Sequence, residues 1–276
     1  MSDLVAILVF TWVPLVGAFA FSLTATPLGA LLSLRDEILL GVALPPVGSA
    51  AIVASVLFGV SPDNTLALYF SAVVAILIVS LALPAKGRTL MSSVRWRAAL
   101  LASVFCAGEA ATILMSAVST NVEAHIQHML RGELLAIGGA GLVAFGLLTA
   151  TLLVLGYRFR GVMFALGIDE EGLVIRLQDK GRYAILVFRT VSAILIAAGV
   201  IWVGPLLTLG LLAVPTMIWE RHARSLAGFF AGVIVIGGLS VLLGFAVSIV
   251  LDLPPVPVVI CALFAIGGVF VLLARH

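Results

Sequence analysis

The sequence predicts an all-α, polytopic membrane bundle of eight to nine membrane segments, and three observations predict it. Of 276 residues, 63% are hydrophobic. Charged residues make up only 10%, against about 25% in ordinary soluble domains. Apolar runs of membrane-spanning length recur from one end to the other, so the solvent for most of the chain is lipid. Lipid offers no partner for backbone N–H and C=O groups, and helices satisfy them internally.

Nine runs follow in order: Leu4–Leu34, Ile38–Val60, Thr65–Leu83, Ala98–Val118, Leu134–Gly156, Ala184–Val203, Pro205–Trp219, Leu226–Leu251 and Val256–Ala274. About 20 helical residues cross a hydrocarbon core of about 30 Å. The first run exceeds that, and Pro14 and Pro27 are positioned to divide or kink it. The seventh is too short to cross unaided. Between Thr190 and Trp219, a break at Gly204-Pro205 allows either a tight turn at the outer surface or a re-entrant half-helix. The N-terminus lacks the basic n-region of a cleavable signal, so the first run is expected to remain as a span. The whole chain, 1–276, is expected to form one transmembrane domain, with no soluble domain added.

Sidedness follows from the basic residues. Of the 15 Lys and Arg, 12 fall in alternate inter-run gaps, and Arg189 at the entry of the sixth run and Arg275 at the C-terminus share their side, whereas Arg131 alone falls on the other. Cytoplasmic loops carry this excess. The expected topology has the N-terminus outside and the C-terminus cytoplasmic, in a cytoplasmic (inner) membrane. The longest cytoplasmic loop, 157–183, places Asp169, Glu170 and Glu171 ahead of Arg176, Asp179 and Lys180. Acids at a helix start oppose its macrodipole. The loop therefore reads as a structured docking surface or as a solvated linker that carries topogenic charge.

Several classes of function fall away. A net charge of +2 without a basic stripe gives no nucleic-acid partner. The chain has no Gly-x4-Gly-Lys-Ser/Thr phosphate loop, so any ATP must be hydrolysed on a partner. None of the histidines (125, 128, 222 and 276) lies in an apolar span, which removes an intramembrane hydrolase. Cys106 and Cys261 both sit within apolar runs and suggest packed thiols rather than a disulfide.

Two groups of residues have chemistry suited to transport. Glu109 is the one acid near the middle of a span. A carboxylate there costs roughly 3 kcal/mol on insertion scales, so it should face the bundle interior or a wet cavity. Cys106 lies three positions earlier, close in helical angle, and the pair suits contact with a passing soft metal. An ordinary hydrogen-bonded neutral Glu109 explains the same placement. In the outer loop, Glu123, His125, His128 and Glu133 combine imidazole and carboxylate, a donor set for Zn, Mn or Fe. A solvated interfacial loop is the alternative.

Several segments resemble the permeases of the zinc/manganese/iron class of ABC importers. The residues Gly210-Leu211-Leu212-Ala213-Val214-Pro215-Thr216 followed by Arg221-His222-Ala223-Arg224-Ser225-Leu226 are similar to that family's apolar run, proline and Arg-Ser-Leu stretch. Leu251-Asp252-Leu253-Pro254-Pro255-Val256-Pro257 resembles the turn before its last helix, and Leu130-Arg131-Gly132-Glu133-Leu134-Leu135-Ala136 resembles its Leu-Phe-Gly-x-Leu-Leu-Ala. The resemblance implies a type II ABC importer-like dimer, with a second permease subunit that is expected to be identical. It also implies a cytoplasmic ATP-binding-cassette ATPase docked on the loop around Asp169–Lys180 and an extracytoplasmic metal-binding protein. A transported divalent metal is implied, but no permanently bound cofactor. The chain departs from the family at the second run. Where the family carries Gly-Asp-x-x-Ser-His, this sequence reads Gly41-Val42-Ala43-Leu44-Pro45-Pro46, so Val42 and Pro46 replace both candidate ligands. Glu109 and the histidine loop then take over, or the substrate is not a bare ion. The competing class is a stand-alone secondary transporter or channel, which needs several intramembrane ionisable residues; this chain offers one.

Overall fold

A computed structural model describes residues 2–62, 64–83, 94–118 and 179–274, together with 143, 146–151, 154, 158 and 161. Eight long helices lie among the described residues: α1 (Ser2–Leu34), α2 (Ile38–Leu57), α3 (Thr65–Ala82), α4 (Val94–Ala117), α5 (Asp179–Trp202), α6 (Pro205–Trp219), α7 (Leu226–Leu251) and α8 (Pro255–Ala274). Seven are long and apolar enough to cross a membrane, and α6 is the shorter one. Eight of the nine apolar runs are therefore helices. The remaining run, Leu134–Gly156, lies largely outside the described residues, although 146–151 are helical.

The first run is not divided. α1 is a single helix with Pro14 and Pro27 inside it. Proline removes one N–H and crowds the preceding turn, but breaking the helix in lipid would orphan several backbone groups. Hydroxyls in the turns before Pro27 also reinforce the carbonyls there. Ser22 donates to Phe19 O, Thr24 to Phe21 O and Thr26 to Ser22 O, all at 2.7–2.8 Å. The same back-bonding hides the hydroxyls of Ser192, Thr208 and Ser240.

The Gly204-Pro205 break is real, and it reverses the chain. α5 stops at Trp202, and Gly204 takes φ +92°, a left-handed value that glycine adopts without strain. Its N–H and that of Val203 both bond to Gly199 O. Pro205 then occupies the first turn of α6, where a missing N–H costs nothing. Thr208 packs back onto Gly199, so α6 runs back along α5.

Contacts sort the helix termini into two ends. At one end sit Arg35, Glu37, Arg97 and Arg189, with Ser33 of α1 bonded to Glu220 just after α6 (2.8 Å). At the other, the Tyr69 ring lies 5.5 Å from Trp202, and the Tyr69 hydroxyl bonds Ile194 O at 3.2 Å. Each described helix runs between the two ends, which agrees with the alternation read from the basic residues.

Since lipid tails are as apolar as leucine, helices in a bilayer associate through close packing rather than hydrophobic burial. Small residues make that approach here. A Cβ on Gly29 of α1 would strike the Leu212 carbonyl of α6, and one on Gly244 of α7 would lie 2.6 Å from Val259 Cα of α8. Glycines 237, 238 and 267 likewise face Thr26, Phe19 and Ile218, whereas Gly268 faces open space. The buried core runs through Phe21, Leu32, Leu44, Ile76, Ile196, Leu207 and Phe245.

Candidate functional site

The most unusual chemistry among the described residues is a buried ion cluster at the basic end. Only Arg35, Asp36 and Glu37 separate α1 from α2; Asp36 is exposed, whereas Arg35 and Glu37 are turned inward and buried. Asp36 takes φ +52° to make the corner, and the Glu37 N–H bonds back to Leu32 O. Glu37 becomes the N-cap residue of α2, but its carboxylate caps no backbone N–H. Its Oε2 accepts from Arg35 Nε at 3.0 Å. Its Oε1 accepts from Arg97 of α4 at 3.3 Å and lies 3.6 Å from Arg189 of α5. Side-chain exposure is 1% for Arg35 and Glu37, 7% for Arg189 and 16% for Arg97. Arg189 also donates to Ser80 O in the last turn of α3, and the Arg35 guanidinium lies 4.8 Å over the Phe188 ring. One carboxylate thus ties α2 to α4 and α5, and through Arg189 to α3. A small cavity lined by Leu40, Leu83, Leu100, Leu101, Arg97 and Arg189 adjoins it.

The sequence alone puts Arg35, Glu37 and Arg97 between runs and Arg189 at the entry of one, and reads the basic residues as topological. Two signals pointed elsewhere. A three-residue link between two long apolar runs keeps its charges close to the helix ends, and Arg189 already falls within an apolar run.

The second feature is the α2–α4 seam along the expected transport path. Pro45 and Pro46 are buried within α2. Gly108 of α4 presses on that point: a Cβ there would lie 2.9 Å from Pro46 C and Cβ and 3.0 Å from Val47 N. Pro46, which the resemblance sets against one of the family's ligands, is thus an imino ring packed against a neighbouring helix. Val42 is half-buried. Neither side chain coordinates a cation.

Glu109 follows Gly108 on α4 and is half-buried, close to the seam. Cys106 is exposed, on a side of α4 turned away from α2. Among the described residues, no three His, Cys, Asp or Glu side chains gather to hold a metal ion. Glu123, His125, His128 and Glu133 lie outside the described residues, as do Asp169, Glu170, Glu171 and Arg176. Asp179 and Lys180 open α5, and only their backbone is described.

No curated protein matches this chain. Among solved structures, it is similar to PsaBC from Streptococcus pneumoniae in complex with Fab, with a TM-score of 0.77 and 16% identity, covering 97% of this chain and 91% of that one. It is also similar to a metal-chelate type ABC transporter in an inward-facing conformation, with a TM-score of 0.68 and 17% identity, covering 98% and 90%. At these identities the likeness establishes the fold. The profile of the ABC 3 transport family matches residues 9–274. This multi-pass helical membrane protein therefore belongs to the ABC 3 transport family, as a transport permease.

Proposed function

We propose that the chain is the membrane subunit of an ATP-driven importer for a divalent transition metal, working by alternating access. A separate cytoplasmic ATPase would dock on the loop 157–183, and an extracytoplasmic binding protein would deliver the substrate. The observation that carries this reading is the family match over residues 9–274, on a bundle whose described long helices run between a basic and a non-basic end. The absence of a phosphate-binding loop from the sequence fits a division of labour with an ATPase. The basic end is then cytoplasmic and the N-terminus outside, and a second copy completes the pathway.

The replacement of two family ligands by Val42 and Pro46 favours a second reading of the cargo. A metal chelate, recognised by its organic shell, needs no protein donors at those positions. Uptake by cells carrying and lacking the chain, supplied with free Zn, Mn or Fe or with a ferric chelate, separates the two. Element-specific loss of uptake supports import, and the form of metal that restores growth names the cargo. If the deletion leaves every metal pool unchanged, or the chain fails to co-purify with an ATPase, the reading is wrong.

A further inference from the structure

We propose that Glu37 is a positioning residue that latches the basic end of the bundle closed, and that its release is the step by which movement of α5 reaches α2. The proposal rests on the permease reading and assigns a role to residues outside the transport path.

Three observations carry it. The first is the geometry of convergence. Both oxygens of one carboxylate are engaged, by Arg35 at 3.0 Å and by Arg97 and Arg189 at 3.3 and 3.6 Å. These groups come from the α1–α2 link, α4 and α5. Losing one side chain removes the acid that α4 and α5 share with the α1–α2 link, and both contacts go together. Such an arrangement switches, whereas separate pairs would fail one at a time.

The second is the chemistry chosen. Glu37 occupies an N-cap position, where an acid ordinarily stabilises its own helix by accepting from backbone N–H groups. Its side chain makes no such bond and is committed to the guanidiniums instead. A buried ion cluster is an expensive way to hold helices together, since well-packed apolar residues do it as well or better. The best-attested return on that cost is control over which arrangement forms.

The third is placement. α5 begins at Asp179, within the stretch 157–183 proposed to receive the ATPase. Arg189 lies ten residues further on, about 15 Å along the helix axis. Glu37 begins α2, and the Gly41–Pro46 stretch at the expected path starts one turn later. The cluster therefore bridges the helix that is pushed and the helix that must move. The adjoining cavity is bordered by Arg97 and Arg189 themselves, so a change in their bonds to Glu37 is felt directly at its wall.

The test uses the full chain in phosphatidylethanolamine/phosphatidylglycerol nanodiscs. Cys106 and Cys261 are replaced by serine, and Leu101→Cys places a reporter thiol at a buried position lining the cavity. With a membrane-impermeant maleimide, Glu37→Gln is expected to raise the reporter's labelling rate at least tenfold. Arg97→Gln should raise it at least threefold. It leaves Glu37 paired with Arg35 and Arg189, so the chain folds even if Glu37→Gln does not. Arg97→Lys keeps the charge and should label at the parent rate. With the ATPase bound, ATP should change labelling of the parent but not of Glu37→Gln. Parent-like labelling of folded Glu37→Gln or Arg97→Gln would overturn the latch, as would ATP-sensitive labelling of Glu37→Gln. A parent chain that binds no ATPase refutes the permease reading instead, and the nanodisc rates still decide the latch.

Discussion

The α2–α4 seam gives a quantitative test of how the path is built. Replacing Gly108 with alanine adds one carbon at 2.9 Å from Pro46 C and Cβ and 3.0 Å from Val47 N. Relaxed carbon–carbon contacts lie at about 3.5–4.0 Å, so α4 must retreat by roughly 0.6–1 Å. The obstacle is the backbone of a double-proline segment and cannot rotate aside. Overpacking of this kind costs about 1–3 kcal/mol. Gly→Ala in a helix interior returns up to about 1 kcal/mol through propensity. Gly268→Ala is the matched control, because a Cβ there meets nothing within 4 Å and it collects the propensity gain alone. In lipid nanodiscs, Gly108→Ala should melt about 2–12 °C below Gly268→Ala, at about 2–4 °C per kcal/mol for a chain of this size. Glu109 is the next residue, so the shift also displaces the one carboxylate near mid-span. Misplacement by about 1 Å can cost about a hundredfold in a positioned site, and uptake should fall by at least tenfold. Equal melting temperatures and equal uptake for the two variants would refute the seam as a positioning contact.

Other predictions concern single groups. Glu109→Gln should reduce transport, and full activity at every pH tested removes Glu109 from the path. The double change His125→Ala with His128→Ala should weaken uptake at limiting metal, and unaltered uptake there excludes the outer loop as a metal site. Ser33→Ala deletes the 2.8 Å bond to Glu220 and should cost about 1–3 kcal/mol, read as a lower melting temperature. Ser225→Ala removes the N-cap that accepts from Gly228 N–H and should cost about 1 kcal/mol.

The bundle was legible in the sequence because lipid imposes two rules that a linear pattern reveals: length for spanning and charge for sidedness. The α5–α6 reversal was legible for a local reason, since Gly204-Pro205 combines a left-handed φ with a missing N–H. The continuity of α1 through Pro14 and Pro27 was not, because local breaker chemistry loses to the cost of orphaned carbonyls in lipid. Likewise Gly237 and Gly268 look alike in sequence, yet one meets Thr26 and the other nothing. Partner identity is a property of the assembled fold. The Glu37 cluster joins positions 35, 37, 97 and 189, and no spacing rule connects residues that far apart. What the chain does disclose is the short link and the stray Arg189, two misplaced charges that a topological count absorbs without remark.

α6 shows why a helix too short to span belongs at the centre. Its 15 residues rise about 22 Å, less than the hydrocarbon core. A lipid-exposed helix of that length would leave the polar groups at its ends in oil. Here α1, α2, α5, α7 and α8 all contact it, and protein covers most of its length, with Leu206 and Met217 exposed towards its two ends. At one end the Thr208 hydroxyl and N–H both bond Gly204 O. At the other, the Glu220 N–H continues the ladder to Thr216 O, and the Trp219 indole donates to Gly228 O at 3.0 Å. Irregular backbone at membrane depth is stable only under such cover, and covering it uses up the inward faces of five helices. Opening either end of the bundle must therefore move those helices around α6 rather than move α6 itself, and a carboxylate that ties α2 to α4 and α5 is well placed to govern when they do.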